Sequence, residues 1–304
     1  MSRQEFAGKA IIQRSRAAAI ACVVAAAMLF STGGAAIKTA DLSGLQVASI
    51  RSGIAAMALL LWVRGRVRLS PQIILVSAVY AATLVLFVTS TKLTTAASAI
   101  FLQSTAPLYI ILLAPLLLGE RFRARDLAFL AAAAVGLVLC VGARTASSVT
   151  APDPATGNLL GVLCSLSWAF TLLGLRWVER DHRGNGISAV VFGNLMAFLV
   201  GVPLLVPLPA ASALDWATLA YLGVFQIGLA YLLLTSAVGH LPTLHISLLL
   251  LIEPVLNPLW TWLVRGEHPG TWTIAGGAII VSAAAVHAVY DAGKPAPGPA
   301  RGGP

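Results

Sequence analysis

Ten apolar runs of about 20 residues alternate with short polar segments along the chain. A helix of that length spans the hydrocarbon core of a bilayer, so runs with few charges predict transmembrane helices. We therefore expect an all-α polytopic membrane protein. The ten predicted spans are 17–37, 44–63, 71–91, 94–118, 124–143, 157–178, 186–207, 214–238, 241–264 and 270–290.

The longest polar break between these runs is "ARTASSVTAPDPAT", residues 143–156. It divides the spans into two sets of five, and the tail after residue 290 is rich in proline and glycine, a composition that favours disorder. The predicted organisation is a cytoplasmic N-terminal segment (1–16), a five-helix unit (17–143), an external linker (144–156), a second five-helix unit (157–290) and a disordered cytoplasmic tail (291–304).

Lysine and arginine are distributed unequally between the predicted loops. With a cytoplasmic N-terminus, 15 of the 20 lie in cytoplasmic segments, four lie in external segments, and Arg51 lies inside a span. Cytoplasmic loops carry the excess of basic residues, so this count predicts both termini in the cytoplasm. The expected location is the plasma (inner) membrane.

The composition excludes several other protein classes. The chain is 58% hydrophobic and 10% charged, whereas soluble domains carry about 25% charged residues. The net charge of +9 is spread over loops between apolar runs rather than over one basic face, so no nucleic-acid partner is expected. The expected partners are the bilayer and a small-molecule substrate, with no metal and no cofactor. Proton coupling, exchange and facilitated diffusion are all open as modes of transport, and the chain is expected to be a monomer or a homodimer.

Two stretches of the chain repeat a proline and a Gly-Glu pair at the same spacing. Shifted by 147 residues, "STAPLYIILLAPLLLGE" falls on "LIEPVLNPLWTWLVRGE", with Pro107 on Pro254 and Glu120 on Glu267. The two copies end spans four and nine, so they are predicted to cross the membrane in opposite directions. Inverted repeats are common in secondary transporters and place the substrate site near the midplane. The Gly-Glu pair is interpreted as a structural turn, with gating as the alternative.

The sequence resembles the drug/metabolite transporter superfamily, in its ten-span EamA-like branch. The resemblance covers nearly the whole membrane domain and departs from the family at Phe30 and Ser31, where Trp-Gly is frequent. It implies that each five-helix unit is one EamA-like repeat and that the protein exports or exchanges small metabolites by alternating access. The matching stretches are "FSTGGAAIKTA", "ASIRSGIAAMALLLWV", "TTAASAIFLQSTAPLYIILLAPLLLGERF", "GNLLGVLCSLSWAFTLLGLRWVER" and "ISLLLLIEPVLNPLWTWLVRGE".

Glu253 is the strongest candidate for a functional residue, because an ionisable group within a span is costly. On one continuous helix, Asn257 lies about 40° from Glu253 and His245 about 80° the other way, so all three would share an inward face. Pro254 predicts a kink beside the carboxylate, and Pro107 a corresponding kink in span four. Glu253 would bind a substrate amine or carry a coupling proton; the alternative is a structural hydrogen bond, or a salt bridge to Arg51.

The other candidates for substrate binding or coupling have structural alternatives. Gln103 and Gln226 would present amides to a polar substrate or would bond neighbouring helices. Trp168 would face a central cavity or fill the core, and Arg51 would act in the site or extend to the outer surface. His245 and Tyr80 complete the set, and His245 is as easily explained as a packing residue.

The predicted function is secondary transport of small amino-acid-like or drug-like metabolites, in the direction of export. No G-x4-G-K-[ST] pattern is present, so ATP is not expected to drive transport directly. One alternative is a polytopic enzyme acting on lipids, although the chain has neither HExxH nor GxSxG. The other is a non-transporting membrane sensor. No catalytic residue is predicted.

Overall fold

A computed structural model of the protein describes residues 3–118, 147–181 and 185–292, together with short stretches between 128 and 139. Apart from connecting turns, these described residues are helical. The helices are α1 (Arg3–Ser31), α2 (Gly33–Thr39), α3 (Gly44–Trp62), α4 (Pro71–Leu93), α5 (Ala96–Gln103), α6 (Ala106–Leu118), α7 (Pro154–Asp181), α8 (Asn185–Gly201), α9 (Ala213–Tyr221), α10 (Ala230–Val238), α11 (Thr243–Leu249), α12 (Ile252–Arg265) and α13 (Thr271–Ala292), with a π-helix at Leu222–Leu229 and a 3₁₀ turn at Val202–Leu205.

Eight helical segments within the described residues are long and apolar enough to cross a membrane, and they correspond to eight of the ten predicted spans. Helix α13 occupies the predicted tenth span, with its apolar part at Thr271–Ala283. The predicted fifth span, 124–143, lies largely outside the described residues. The eight segments are Arg16–Thr39, Gly44–Trp62, Pro71–Leu93, Ala96–Leu113, Pro154–Arg180, Asn185–Leu204, Ala213–Val238 and Thr243–Arg265.

Helix starts are marked in the sequence by hydroxyl residues that cap free backbone N–H groups. The side chain of Ser43 accepts from the Gln46 N–H at the start of α3, and Ser70 accepts similarly at the start of α4. Thr95 caps α5 by accepting from the Ser98 N–H. These caps fix where each helix leaves its loop.

The interior is formed where helices from the two halves of the chain pack together. Helix α4 lies against α7 and α8, α3 lies against α8, and α1 lies against α10. Polar pairs join these apolar faces: the Ser77 hydroxyl donates to the Ala189 carbonyl at 3.0 Å, and the Thr83 and Thr171 hydroxyls lie 3.0 Å apart. Many large apolar side chains, such as Leu61 and Leu116, are exposed, as expected for surfaces that face lipid.

Two membrane segments are interrupted in the middle by short turns. Turns at Ser104–Thr105 and Leu250–Leu251 separate α5 from α6 and α11 from α12. Shifted by 147 residues, α5 and α6 fall on α11 and α12 to within one residue at every boundary. The duplicated proline is therefore accompanied by a duplicated helix break.

Candidate functional site

A cavity lies in the interior, beside the two interrupted helices, and a second, smaller one adjoins it. Glu253, Gln103 and Trp168 line both. The other residues of the larger cavity come from five helical segments and are Phe30, Arg51, Thr83, Leu84, Phe87, Gln226, Ile227 and Tyr231. The smaller cavity reaches toward Ser104, Pro107, Ser247 and Pro254. Both helix breaks therefore open onto the same space.

Glu253 lies in the first turn of α12, directly after the break. Its side chain is 8% exposed, and among the described residues no side chain or backbone group donates a hydrogen bond to it. The N-terminus of a helix carries partial positive charge and favours a nearby carboxylate. The position of the break thus places the positive end of α12 and a free carboxylate at the cavity wall.

Proline explains why the helices break here, because it has no N–H to bond the carbonyl four residues earlier. Pro254 leaves the Leu250 carbonyl free, and this carbonyl accepts from the Glu253 N–H at 3.0 Å instead. Pro107 leaves the Gln103 carbonyl free, and it accepts from the Ser165 hydroxyl of α7 at 3.2 Å. The freed carbonyls are covered by protein, which allows an interruption at membrane depth.

Arg51 faces the cavity from α3 and does not extend to the surface, since it is only 1% exposed. Its Nη1 donates to Oε1 of Gln226 at 3.3 Å, whereas its Nε has no hydrogen-bond partner in the described part of the chain. No acidic side chain among the described residues lies within 4.0 Å of it. The salt bridge between Arg51 and Glu253 considered in the sequence analysis is therefore absent, although both residues line one cavity.

Gln226 reaches the cavity from the π-helix that interrupts α9 and α10. Insertions of this kind are frequent at functional sites because they redirect side chains. Its amide lies against Gly33 of α2: a Cβ atom on that glycine would be 2.6 Å from Nε2 of Gln226. Gly34 likewise leaves space for Asn257, because a Cβ atom on Gly34 would be 2.2 Å from Oδ1 of Asn257.

Five of the eight predicted site residues line the cavity, namely Glu253, Gln103, Gln226, Trp168 and Arg51. The other three lie elsewhere. Asn257 is fully buried against α2, and neither polar atom of its amide has a hydrogen-bond partner within the described ranges. Tyr80 is buried behind the cavity, where its hydroxyl accepts from Nδ2 of Asn194 at 3.1 Å and its ring packs edge-on against Tyr231.

His245 is only half-buried and lies on α11, on the other side of the helix break from Glu253. The continuous helix assumed for His245, Glu253 and Asn257 does not exist, because the turn at Leu250–Leu251 separates the first from the other two. The angles calculated along span nine therefore hold only for Glu253 and Asn257.

Several aromatic and hydroxyl residues line the cavity although the predicted site did not include them. Phe30, Phe87 and Thr83 line the cavity, and Tyr231 packs between Phe30, Trp168 and Tyr80. Apolar and hydroxyl residues at helical spacing look the same in sequence whether they face a cavity or a neighbouring helix. Tyr231 differs from the others because it is a tyrosine within a predicted span, where a polar group needs a physical reason.

An ion pair closes one end of the bundle. Lys38, at the end of α2, lies 3.6 Å from Glu267, which follows α12, and both side chains are 4% exposed. Oε1 of Glu267 also accepts from the Ala96 N–H at 2.6 Å, at the start of α5. Burial raises the pKa of Glu267, and the Lys38 ammonium and the Ala96 N–H act against this increase. The second glutamate of the duplicated turn, Glu120, lies outside the described residues.

Several further hydrogen bonds join segments at the same end of the bundle. The distribution of lysine and arginine predicts that these segments lie on the external side of the membrane. Lys38 donates to the Thr94 carbonyl at 2.7 Å, and Lys92 donates to the Ala40 carbonyl. Across the chain, the Asp41 N–H donates to Oδ1 of Asp215 at 2.8 Å. The cavity is consequently covered at this end by a network of buried polar contacts.

Comparison with known proteins agrees with this architecture. The profile of the EamA-like transporter family matches residues 17–142 and again residues 155–288. The pseudopaline exporter CntI of Pseudomonas aeruginosa, in strains UCBPP-PA14 and PAO1, is 29% identical over 272 residues, which cover 86% of this chain and 92% of the exporter. One solved crystal structure aligns with a TM-score of 0.67 and 20% identity, covering 90% of this chain and 98% of its own; at that identity it supports the fold alone.

Proposed function

The chain belongs to the EamA-like transporter family, and we propose that it exports small amino-acid-like or drug-like metabolites across the plasma membrane by alternating access. The family and the exporter relative support membrane transport, with export as the direction. The observation that carries the proposal for this chain is a buried carboxylate, Glu253, which has no hydrogen-bond partner among the described residues and lines a cavity at two helix breaks. Interrupted helices at a central site are typical of secondary transporters.

The proposed architecture has ten spans in two inverted five-helix repeats, residues 17–143 and 157–290, with both termini in the cytoplasm. Glu267 follows the end of span nine, and its carboxylate bonds the start of span four. Spans four and nine correspond under the 147-residue shift, and the end of span nine lies beside the start of span four. This arrangement supports opposite directions of the two spans through the membrane. Rocking of one repeat against the other would open the cavity alternately to each side.

Glu253 is proposed to bind a substrate amine or to carry the coupling proton. Glu253→Gln keeps the size of the side chain but removes its charge, so we expect transport to be abolished while the protein still inserts and folds. The measurement is flux into proteoliposomes of a solute that stabilises the purified protein in a screen of amino acids, sugars, nucleosides and cationic drugs. Asp153→Asn, at an exposed position, is the matched control. Transport by Glu253→Gln at the wild-type rate would exclude this role.

A further inference from the structure

The cavity wall carries one positive and one negative side chain that do not pair with each other. A guanidinium stays ionised in proteins, and among the described residues Arg51 is buried with one hydrogen-bond partner, the amide oxygen of Gln226. Glu253 lines the same cavity and has no partner among the described residues. Leaving a buried charge unpaired is strongly unfavourable, so Arg51 requires an anion, and Glu253 either keeps a proton or, when ionised, requires a cation.

The cavity measures about 30 Å³, which is room for water only, so a larger ligand requires the cavity to open. We infer that the opened cavity binds a zwitterion in which one carboxylate pairs with Arg51 and one ammonium pairs with Glu253. The inference rests on the proposed transport function and specifies its substrate by charge. A ligand with a single positive charge would leave Arg51 without an anion, and a ligand with a single negative charge would leave Glu253 without a cation. A ligand that carries both charges pairs with Arg51 and with the ionised Glu253 at the same time.

The remaining lining groups fit the two ends and the body of such a ligand. Gln226 already bonds Arg51 and fixes the guanidinium from behind. Gln103 lines the cavity beside Glu253, and its buried Oε1 has no partner among the residues that the structure describes, so it can accept a second N–H from an ammonium. Phe30, Phe87 and Trp168 offer apolar surface to a side chain. Binding pockets typically combine such an apolar wall with a few convergent polar groups.

The test removes one charge of the ligand at a time. Alanine, leucine and phenylalanine are the zwitterionic probes; leucine methyl ester is the cation and N-acetyl-leucine is the anion. Dissociation constants are measured by thermal stabilisation of the purified full-length protein. We expect at least one amino acid to bind, and for leucine we expect the ester and the acetylated form to bind at least tenfold more weakly.

Variants then assign each charge to its residue. Arg51→Gln is expected to lose the preference for leucine over its ester and to keep the preference over N-acetyl-leucine, and Glu253→Gln is expected to do the reverse. A merely structural role would weaken all probes together. Arg51→Lys keeps a positive charge and should retain the preference for leucine over its ester, which covers the case in which Arg51→Gln fails to fold. Arg66→Gln, at an exposed loop position, is the control.

The inference is overturned if no amino acid binds, if the three leucine forms bind equally, or if both variants change both ratios alike. Proteoliposome flux separates this failure from failure of the proposed function. Charge-dependent binding without flux of any probe leaves the inference standing and contradicts transport. Flux of a cationic drug without zwitterion binding leaves transport standing and contradicts the inference.

Discussion

At the scale of single residues, two adjacent glycines of α2 determine where two amides can lie. Gly33 leaves space for the Gln226 amide beside the cavity, and Gly34 leaves space for the Asn257 amide. In both places a methyl group would be closer to the amide than real Cβ atoms approach their neighbours. The glycines are thus required by close approach rather than by an unusual backbone angle.

Gly33→Ala is expected to displace the Gln226 amide and weaken its bond to Arg51. The clash involves the end of a flexible side chain, so the thermal unfolding temperature should change little. Transport should fall about tenfold, the effect of losing about 1.4 kcal/mol of binding. Gly239→Ala, where a Cβ meets nothing within 4 Å, is the control. Normal transport by Gly33→Ala would show that the position of Gln226 does not matter.

The sequence predicted the polar residues of the site but not the apolar residues that complete the cavity wall. Glu253, Arg51 and Gln226 stand out because polar groups inside apolar runs need a physical reason. The same rule selected Tyr80, whose hydroxyl is hydrogen-bonded within the core. The rule could not separate the two cases, because burying a polar group is costly whether its partner is a substrate or another residue. Phe30 and Phe87 could not be recognised, since an aromatic ring at a cavity and one in a packed core obey the same pattern.

At the scale of elements, the break between α5 and α6 is held by α7 through one serine. The Ser165 hydroxyl donates to the Gln103 carbonyl that Pro107 leaves free, and it lies 2.8 Å from the Thr105 hydroxyl. The corresponding break between α11 and α12 uses its own backbone, through the Glu253 N–H. The two breaks are therefore alike in position and different in what stabilises them.

Ser165→Ala is expected to destabilise the protein by about 1–3 kcal/mol, because it leaves a buried carbonyl without a donor. The measurement is the free energy of unfolding in detergent with increasing denaturant. Ser236→Ala is the matched control, because its exposed hydroxyl bonds only the Leu233 carbonyl of its own helix. Equal stabilities for the two variants would mean that water or a backbone shift replaces the Ser165 hydroxyl.

Most helices were predictable because a bilayer requires long apolar runs, and the run lengths are visible in the sequence. The duplicated prolines indicated where two spans would be disturbed, and each span has a two-residue turn at that place. The π-helix that carries Gln226 gave no signal, because Leu222–Leu229 reads as ordinary apolar helix. Such local changes depend on packing against neighbours, which one sequence does not specify.

At the scale of the whole molecule, the cavity lies between helices of both halves and one end is closed. The Lys38–Glu267 pair joins the end of the first predicted span to the loop after the ninth, and Glu267 also holds the start of the fourth. An alternating-access cycle has to separate these contacts when that end opens. The charge distribution of the loops predicts that this end faces outward.

Lys38→Gln is therefore expected to favour the state that is open to the outside. Removing one partner of a buried pair leaves the other charge unpaired, at a cost of about 3–5 kcal/mol to the closed state. The reporter is Ser104→Cys at the smaller cavity, in a chain whose three native cysteines are replaced, labelled by a membrane-impermeant thiol reagent added outside right-side-out vesicles. Labelling should be at least tenfold faster with Lys38→Gln, a change that needs only about 1.4 kcal/mol of relative destabilisation.

Arg265→Gln is the matched control for that experiment, because Arg265 lies at the same end of α12 but is exposed. It removes one positive charge without breaking the buried pair, so labelling should stay at the rate of the parent. Equal acceleration by both variants would attribute the effect to surface charge rather than to the ion pair. Unchanged labelling with Lys38→Gln would mean that the Lys38–Glu267 pair holds the fold in both states and that the outer closure depends on other contacts.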